Sequence, residues 1–360
     1  MSNKHITIKE LNNEGVYDTL YPNTSATQVP LSAATSQLFG QTGLNTDAAL
    51  YKIIEKLRAD KKITVRVTDS NGNPVQGAKI NGLLNSPTTS ANGTATGVFV
   101  SDPLTIVSPY VDVQDGTANG VDYVGTLNVL DVVLQAEADN TIFRYTSSTN
   151  VVFSQGVDTI DICCVGGGGA GQPLETTWGS TQSITYVGSG GGGGGIVNSF
   201  SVPVIANTSY NIIVGSGGLW DPSVVTSVDP GNKGGDTSFM GVVAPGGNGG
   251  YKTNTAKGGD AGIPGCGDGG NGGSRGGSNT TISEFNDGVT FYSGGGGGSN
   301  ASGGSPYGAN GATSNSNAGS ARGYGGGGGA KYQESWSSGR NNKYGSSGGN
   351  GLVAIRIHLK

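Results

Sequence analysis

Residues Asp161–Gly171 read DICCVGGGGAG, and the reason for this glycine run decides the fold. An alternating apolar strand ends at Val165 and meets glycines at Gly166, Gly168 and Gly171, the G-x-G-x-x-G spacing of a dinucleotide-binding turn. That turn needs its last glycine to open a helix whose N-terminal amides meet a pyrophosphate. It also needs an acidic residue about 20 positions on, to take the ribose. Here residues 172–196 continue as QPLETTWGSTQSITYVGSGGGGGGI, with no helical apolar period and a second glycine run. With 69 glycines in 360 residues, chance matches to the motif abound. The glycines need another reason, and no cofactor is expected.

Eleven glycines fall in residues 1–150 and 58 in residues 151–360. The second part is therefore over a quarter glycine, against a usual share of about 7 per cent. Two different polymers are joined. Charged residues make up 12% and the net charge is −5. Without a block of Lys or Arg, a nucleic-acid partner is not expected. The N-terminus lacks a basic region followed by an apolar one, and no apolar run approaches the ~18 residues of a membrane span. Neither a secretory signal peptide nor membrane insertion is expected.

Cys163 and Cys164 are neighbours on a strand and so point to opposite faces, which denies them one metal corner. With Cys266 they read as small apolar residues. His5 and His358 lie near opposite ends of the chain. No ligand-spaced cluster and no nucleophile motif appears, so neither a metal nor catalysis is expected.

Three segments follow along the chain. In residues 1–60 a polar stretch leads to NTDAALYKIIEKLRADK, where Thr46 caps a short helix with Ala49, Leu50, Ile53, Ile54 and Leu57 on one stripe. About 14 residues of helix are marginal alone. In residues 61–137 the period changes: Ile63, Val65 and Val67 alternate with polar residues, and the turn signals DSNGNP and ANG punctuate short strands. The expectation is a small antiparallel β-sandwich.

Residues 140–360 form the glycine domain. A flexible linker would have no use for the apolar segments between its runs, least of all for the closing GLVAIRIHLK. There Val353, Ile355 and Ile357 alternate with Leu352, Ala354 and Arg356. Ordered glycine can adopt the extended left-handed helix of three residues per turn and about 3.1 Å rise, which has no internal hydrogen bonds. Every buried N–H and C=O must then pair with a neighbouring run, so a single run is unstable and a stack is stable. Runs at 166–169, 190–195, 246–250, 258–277, 294–298 and 325–329 supply a stack. Collagen is excluded because the strict Gly-X-Y period is missing. A calcium-binding nonapeptide roll is a poor match, because GGDTSFMG and GGDAGIPG have no nine-residue repeat. The expected fold class is mainly β: a short N-terminal helix, a small antiparallel sandwich, then strands with packed polyglycine-II-like runs.

Residues 63–78, ITVRVTDSNGNPVQGA, and the later NGTA resemble carboxypeptidase-regulatory-like, transthyretin-like modules. This resemblance implies a rigid spacer without an active site. The glycine domain resembles the C-terminal glycine-rich domain of bacteriophage tail fibres and tail adhesins. The matching stretches are Gly156–Gly171, Tyr210–Gly218, Gly235–Gly250 and the closing Gly348–Ile357, in order. Residues 1–60 are similar, more loosely, to the virion-attachment start of such fibres. The resemblance implies a non-catalytic adhesin located in the virion, on a tail fibre or baseplate of a phage or a phage-tail-like bacteriocin. Its partners would be a bacterial surface receptor, a glycan or a surface protein, and tail or baseplate proteins through residues 1–60. A homotrimer is expected.

Aromatic rings between glycine runs have little core to enter, and exposed Trp and Tyr are favoured in recognition. Receptor-binding candidates are Trp178, Trp220, Tyr307, Tyr324, Tyr332, Trp336 and Tyr344, with Arg322, Lys331, Glu334 and Arg340 to orient polar ligands. Tyr251 and Tyr292 belong to the same class of stranded ring. The alternative for each ring is to pack flat on a glycine face. For the whole chain, the alternatives are a purely structural tail component and a surface-glycan depolymerase. The second is poorly served by carboxylates scattered in loops, such as Glu175, Asp221, Asp268 and Glu284.

Overall fold

The computed structural model describes residues 8–11, 17–20, 62–118, 129–172, 184–221, 231–251, 268–270, 276, 285, 296–297, 302–303, 308–313, 316–321, 323–336 and 339–360. The helix expected after Thr46 and the apolar segment VTFYSGG at 289–295, one of those between the glycine runs, lie outside these residues. The chain divides into two compact units, Met1–Ser108 with Asp115–Leu134, and Pro109–Gln114 with Gln135–Lys360. Among the described residues there is no α-helix, and both units are built of small sheets.

In the first unit β1 (Ile8–Leu11) and β2 (Tyr17–Leu20) form a hairpin. Six further strands follow: β3 (Lys62–Asp69), β4 (Lys79–Asn81), β5 (Thr94–Val98), β6 (Leu104–Val107), β7 (Gly116–Ala118) and β8 (Val129–Leu134). They make two three-stranded sheets, ordered β5-β3-β8 and β4-β6-β7. The two-residue period of β3 buries Ile63, Val65 and Val67, and that of β8 buries Leu130, Val132 and Leu134. One pairing departs from the antiparallel expectation: β3 and β8 run parallel, Val65 opposite Leu130. Fifty-nine residues, 70–128, separate these strands, long enough for the crossover that parallel pairing needs and a hairpin does not. At the DSNGNP turn the Asp69 carboxylate accepts from the amides of Asn71 and Asn73 at 2.9 and 2.8 Å, and Gly72 takes φ +81°.

The second unit contains β9 (Ile142–Tyr145), β10 (Thr149–Val152), β11 (Val157–Val165), β12 (Ile184–Val187), β13 (Ile196–Pro203), β14 (Ser209–Ile213), β15 (Thr237–Phe239), β16 (Val242–Ala244), β17 (Tyr332–Trp336), β18 (Gly339–Lys343) and β19 (Leu352–Leu359). Sheet β13-β11-β19-β9 is antiparallel and contains the closing strand β19 at its centre, between β11 and β9. One face, with Ile160, Ile162, Cys164, Val353, Ile355 and Ile357, packs on Val151, Ile212, Phe239 and Ala244 of sheet β10-β14-β15-β16. The other face buries Cys163, Val165, Leu352 and Ala354 with Ile196 and Phe285. The two cysteines therefore do point to opposite faces, and both are buried free thiols.

Beyond β11 the chain becomes the centre of a glycine lattice. The amides of Gly166, Gly169 and Gln172 donate to Gly195, Gly192 and Ser189 at 2.8, 2.9 and 3.0 Å. Those of Gly167 and Ala170 donate to Gly235 and Asn232, both at 2.9 Å. Those of Gly168 and Gly171 donate to Gly349 and Ser346 at 2.8 and 3.1 Å. The partner changes at each residue and returns at the third, as a helix of three residues per turn requires. Partner numbers fall as the run advances, so these three neighbours are antiparallel to it. Three more runs donate inward: Gly247 and Gly250 to Gly167 and Ala170, Gly218 to Gly168, and Gly328 to Gly169. Six runs thus surround residues 166–172.

The close approach explains the composition. A Cβ at Gly166, Gly167, Gly168, Gly169 or Gly171 would lie 2.0–2.2 Å from a carbonyl oxygen of a neighbouring run. Energetically the lattice is close to balanced by itself. A net hydrogen bond contributes roughly 1 kcal/mol, while fixing one backbone residue costs about 1–2 kcal/mol. Buried side chains of the two sheets, at roughly 1.5–3 kcal/mol each, tip the balance. The apolar base and the glycine stack are one folding unit for that reason.

Candidate functional site

The central run and the six around it each have one end at the apolar base. Gly166 follows β11, Gly195 precedes β13, and Gly351 precedes β19. The opposite ends, at Gln172, Ser189, Trp220, Gly250, Lys331 and Gly345, therefore lie together away from the base, about seven residues or roughly 20 Å along the lattice. At this far end a third sheet of the unit, β12-β17-β18, continues directly from the runs. β12 leads into run 188–195, β17 leaves run 325–331, and β18 leads into run 344–351.

Several candidate residues are brought together here and others are not. Tyr332, Glu334 and Trp336 take alternate positions of β17, and Arg340 lies in β18 opposite Ser335. Lys331 ends its run, buried, and burial holds its ammonium below the usual lysine range. Trp220 and Tyr344 make an edge-on ring pair with centroids 5.6 Å apart. Tyr251 is at the same end, where its carbonyl accepts the Ser189 hydroxyl at 2.7 Å. Tyr324 is elsewhere: it precedes run 325–331 at the base and packs against the cluster of Cys163, Val165 and Phe285. Trp178, Tyr307 and Arg322 lie outside the described residues.

Two polar groups stand out at the far end, one on Gln172, which was not singled out from the sequence, and one on the candidate Trp220. The side-chain amide nitrogen of Gln172 and the indole nitrogen of Trp220 are buried and find no hydrogen-bond partner among the described residues. The signal for Gln172 was its position: the first non-glycine side chain to leave the stack on the loop side marks the tip.

The chemistry elsewhere in the unit is structural. Asp161 accepts from His358 Nε2 at 2.9 Å, from the amide of Ser201 at 2.9 Å, and pairs with Arg356 at 3.5 Å, locking β11, β13 and β19 together. The Asp112 carboxylate accepts from the amide and hydroxyl of Ser154. Burial pushes the Cys164 thiol up to about 12 and the Cys163 thiol further still. Neither is a nucleophile at neutral pH. Among the described residues no group of His, Cys, Asp or Glu is arranged to hold a metal ion.

The second unit is thus an all-β base from which a hydrogen-bonded glycine stack projects, with polar and aromatic residues gathered at its far end. A family model for a glycine-rich domain matches residues 145–358, and the chain belongs to that glycine-rich domain family. No curated protein matched the chain.

Proposed function

We propose that the chain is a non-catalytic adhesin of a bacteriophage tail fibre or phage-tail-like particle, binding a bacterial surface receptor through the far end of its glycine stack. The observation that carries this reading is the division of labour in the second unit. The stack is held by backbone hydrogen bonds and tolerates almost no side chains, while Trp220, Lys331, Tyr332, Glu334, Trp336, Arg340 and Tyr344 collect where it ends. A rigid stem that spends no side chains on itself leaves the residues at its tip free to vary for recognition. Tail or baseplate proteins are the expected partners of residues 1–60, and the adhesin acts in the virion as a homotrimer.

The test is staining of a panel of bacterial strains by the fluorescently labelled full chain, with light scattering of the same sample. Strong staining of some strains and none of others is the expected result. A folded chain that stains no strain would turn the reading to a structural tail component. A monomer at micromolar concentration would remove the trimer.

A further inference from the structure

Run 215–221 reaches the far end through Leu219 and Trp220, and β18 passes into run 344–351 through Tyr344. The Trp220 and Tyr344 rings meet at 70°, with Tyr344 52% and Leu219 70% exposed, so the corner opens an apolar surface to solvent. The indole is seated on backbone: a Cβ at Gly345 would lie 2.6 Å from Trp220 Nε1 and 3.0 Å from Cδ1. The amide of Trp220 donates to Ser347 Oγ at 2.9 Å, and the amide of Tyr344 to Asn317 Oδ1 at 3.1 Å. Both rings therefore project from fixed points of the chain.

In this seat the indole N–H is buried without an acceptor among the described residues, and the Gln172 amide at the end of the central run is in the same condition. Burying a donor that makes no bond is costly, and such groups in a native fold call for a reason. The unmade bond weakens the hold of the ring on Gly345. A ligand acceptor that draws the indole outward supplies the missing partner. Ser347 Oγ accepts from Trp220 and keeps its own O–H to give. The corner thus combines aromatic surface with neutral donors. An anionic ligand would find no cation among these groups, Lys331 at the same end being buried in its own run, and an apolar side chain would leave the donors unmade. A pyranose suits both: its C–H face lies on a ring, and its hydroxyl oxygens accept hydrogen bonds. The geometry points to Trp220 and Tyr344 as a carbohydrate-binding corner for a neutral hexose unit of a surface polysaccharide. The source of the sugar rests on the adhesin reading.

The full chain, Tyr344→Ala and Trp220→Phe are each titrated onto immobilised, purified O-antigens and capsular polysaccharides, after matching their melting curves. Phe keeps a ring and deletes the indole N–H. Binding of wild type to at least one polysaccharide is expected, weakened about tenfold in Tyr344→Ala through lost ring contact. Trp220→Phe is expected to weaken it roughly threefold through one lost hydrogen bond. No binding to any polysaccharide, or binding by both variants equal to that of wild type, overturns the corner. Should a variant melt differently, quenching or shift of wild-type tryptophan emission on adding soluble polysaccharide decides, and unchanged emission overturns it. Whole cells separate the two readings. Staining that survives periodate oxidation of the cells but not protease treatment keeps the adhesin and overturns the sugar. Polysaccharide binding with no stained strain keeps the corner and overturns the adhesin.

Discussion

At Gly168 a methyl group has nowhere to go. It would sit 2.1 Å from the oxygen and 2.5 Å from the carbon of the Gly326 carbonyl, both backbone atoms. The run of Gly168 cannot retreat without stretching its bonds to Gly349 and from Gly218, each 2.8 Å, and the Gly326 carbonyl is itself held by the amide of Gly349 at 2.7 Å. Overpacking costs about 1–3 kcal/mol and each lost backbone bond roughly 1 kcal/mol more, so Gly168→Ala is expected to destabilise the second unit by at least ~3 kcal/mol. Gly72→Ala provides the contrast. Its φ is +81° but nothing lies within 4 Å of the added Cβ, so only the left-handed backbone, about 1–2 kcal/mol, is penalised. Calorimetry of both variants checks this, and equal shifts would refute the steric account. The buried thiols set a second expectation. Cys164 is pushed up to about 12, Cys163 beyond it, and Tyr145 to about 12, all by burial. Folded values above unfolded ones mean that these groups favour the fold at neutral pH. The unfolded chain begins to release protons above the ordinary thiol value of 9.0, while the native chain keeps them. Lys331, shifted downward by burial, opposes this as one group against three. Denaturant midpoints are expected to fall between pH 8 and 11. At pH 8 a thiol reagent should leave Cys163 and Cys164 untouched until the chain is unfolded.

At the scale of the element, the three-residue rotation of hydrogen-bond partners carries a sharper expectation than any single glycine. One glycine inserted between Gly168 and Gly169 turns the rest of the run by a third of a turn, about 120°. Gly169 to Gln172 then aim their amides at the wrong neighbours, and four hydrogen bonds are lost together. Inserting three glycines restores the azimuth and pushes the end out by about 9 Å, which residues 173–183 must absorb. Loss of the second unit's melting transition is expected for one inserted glycine, and a retained, lowered transition for three. Equal damage from both would mean that the stack is not phased. The same rotation explains what the sequence told and withheld. Alternation in β11 and β19 announced the base, and Val353, Ile355 and Ile357 face the core as their spacing required. Strands β17 and β18 were invisible because YQESW and GRNNK have no apolar alternation; their pairing follows the runs that deliver them. Tyr324 was misleading for a related reason. It is near Tyr332 in sequence, but run 325–331 stands between them and carries the chain from the base to the tip.

For the whole molecule, the adhesin reading puts stability and recognition at opposite ends of the second unit. The apolar clusters are at the base, around Ile162, Phe239 and Ile355, and the stack is held by backbone groups. The order of runs around the central one could not be read from composition, because every glycine run offers the same donors and acceptors. Their order is decided instead by which strand each run joins. The consequence is that side chains of β17 should be separable from folding. The Tyr332→Ala and Trp336→Ala double variant removes two rings from a strand that begins where the stack ends. Strand propensity falls, worth under about 1 kcal/mol per residue at such a position. The melting temperature should therefore drop by no more than about 4 °C for a unit of this size. On the adhesin reading, staining of a susceptible strain should fall at least about tenfold, the effect of losing one central aromatic contact. Normal staining would move the contact surface away from β17, toward the Trp220–Tyr344 corner or another face. A collapse in melting temperature would mean instead that β17 is a structural cap on the stack, and the separation of roles would fail.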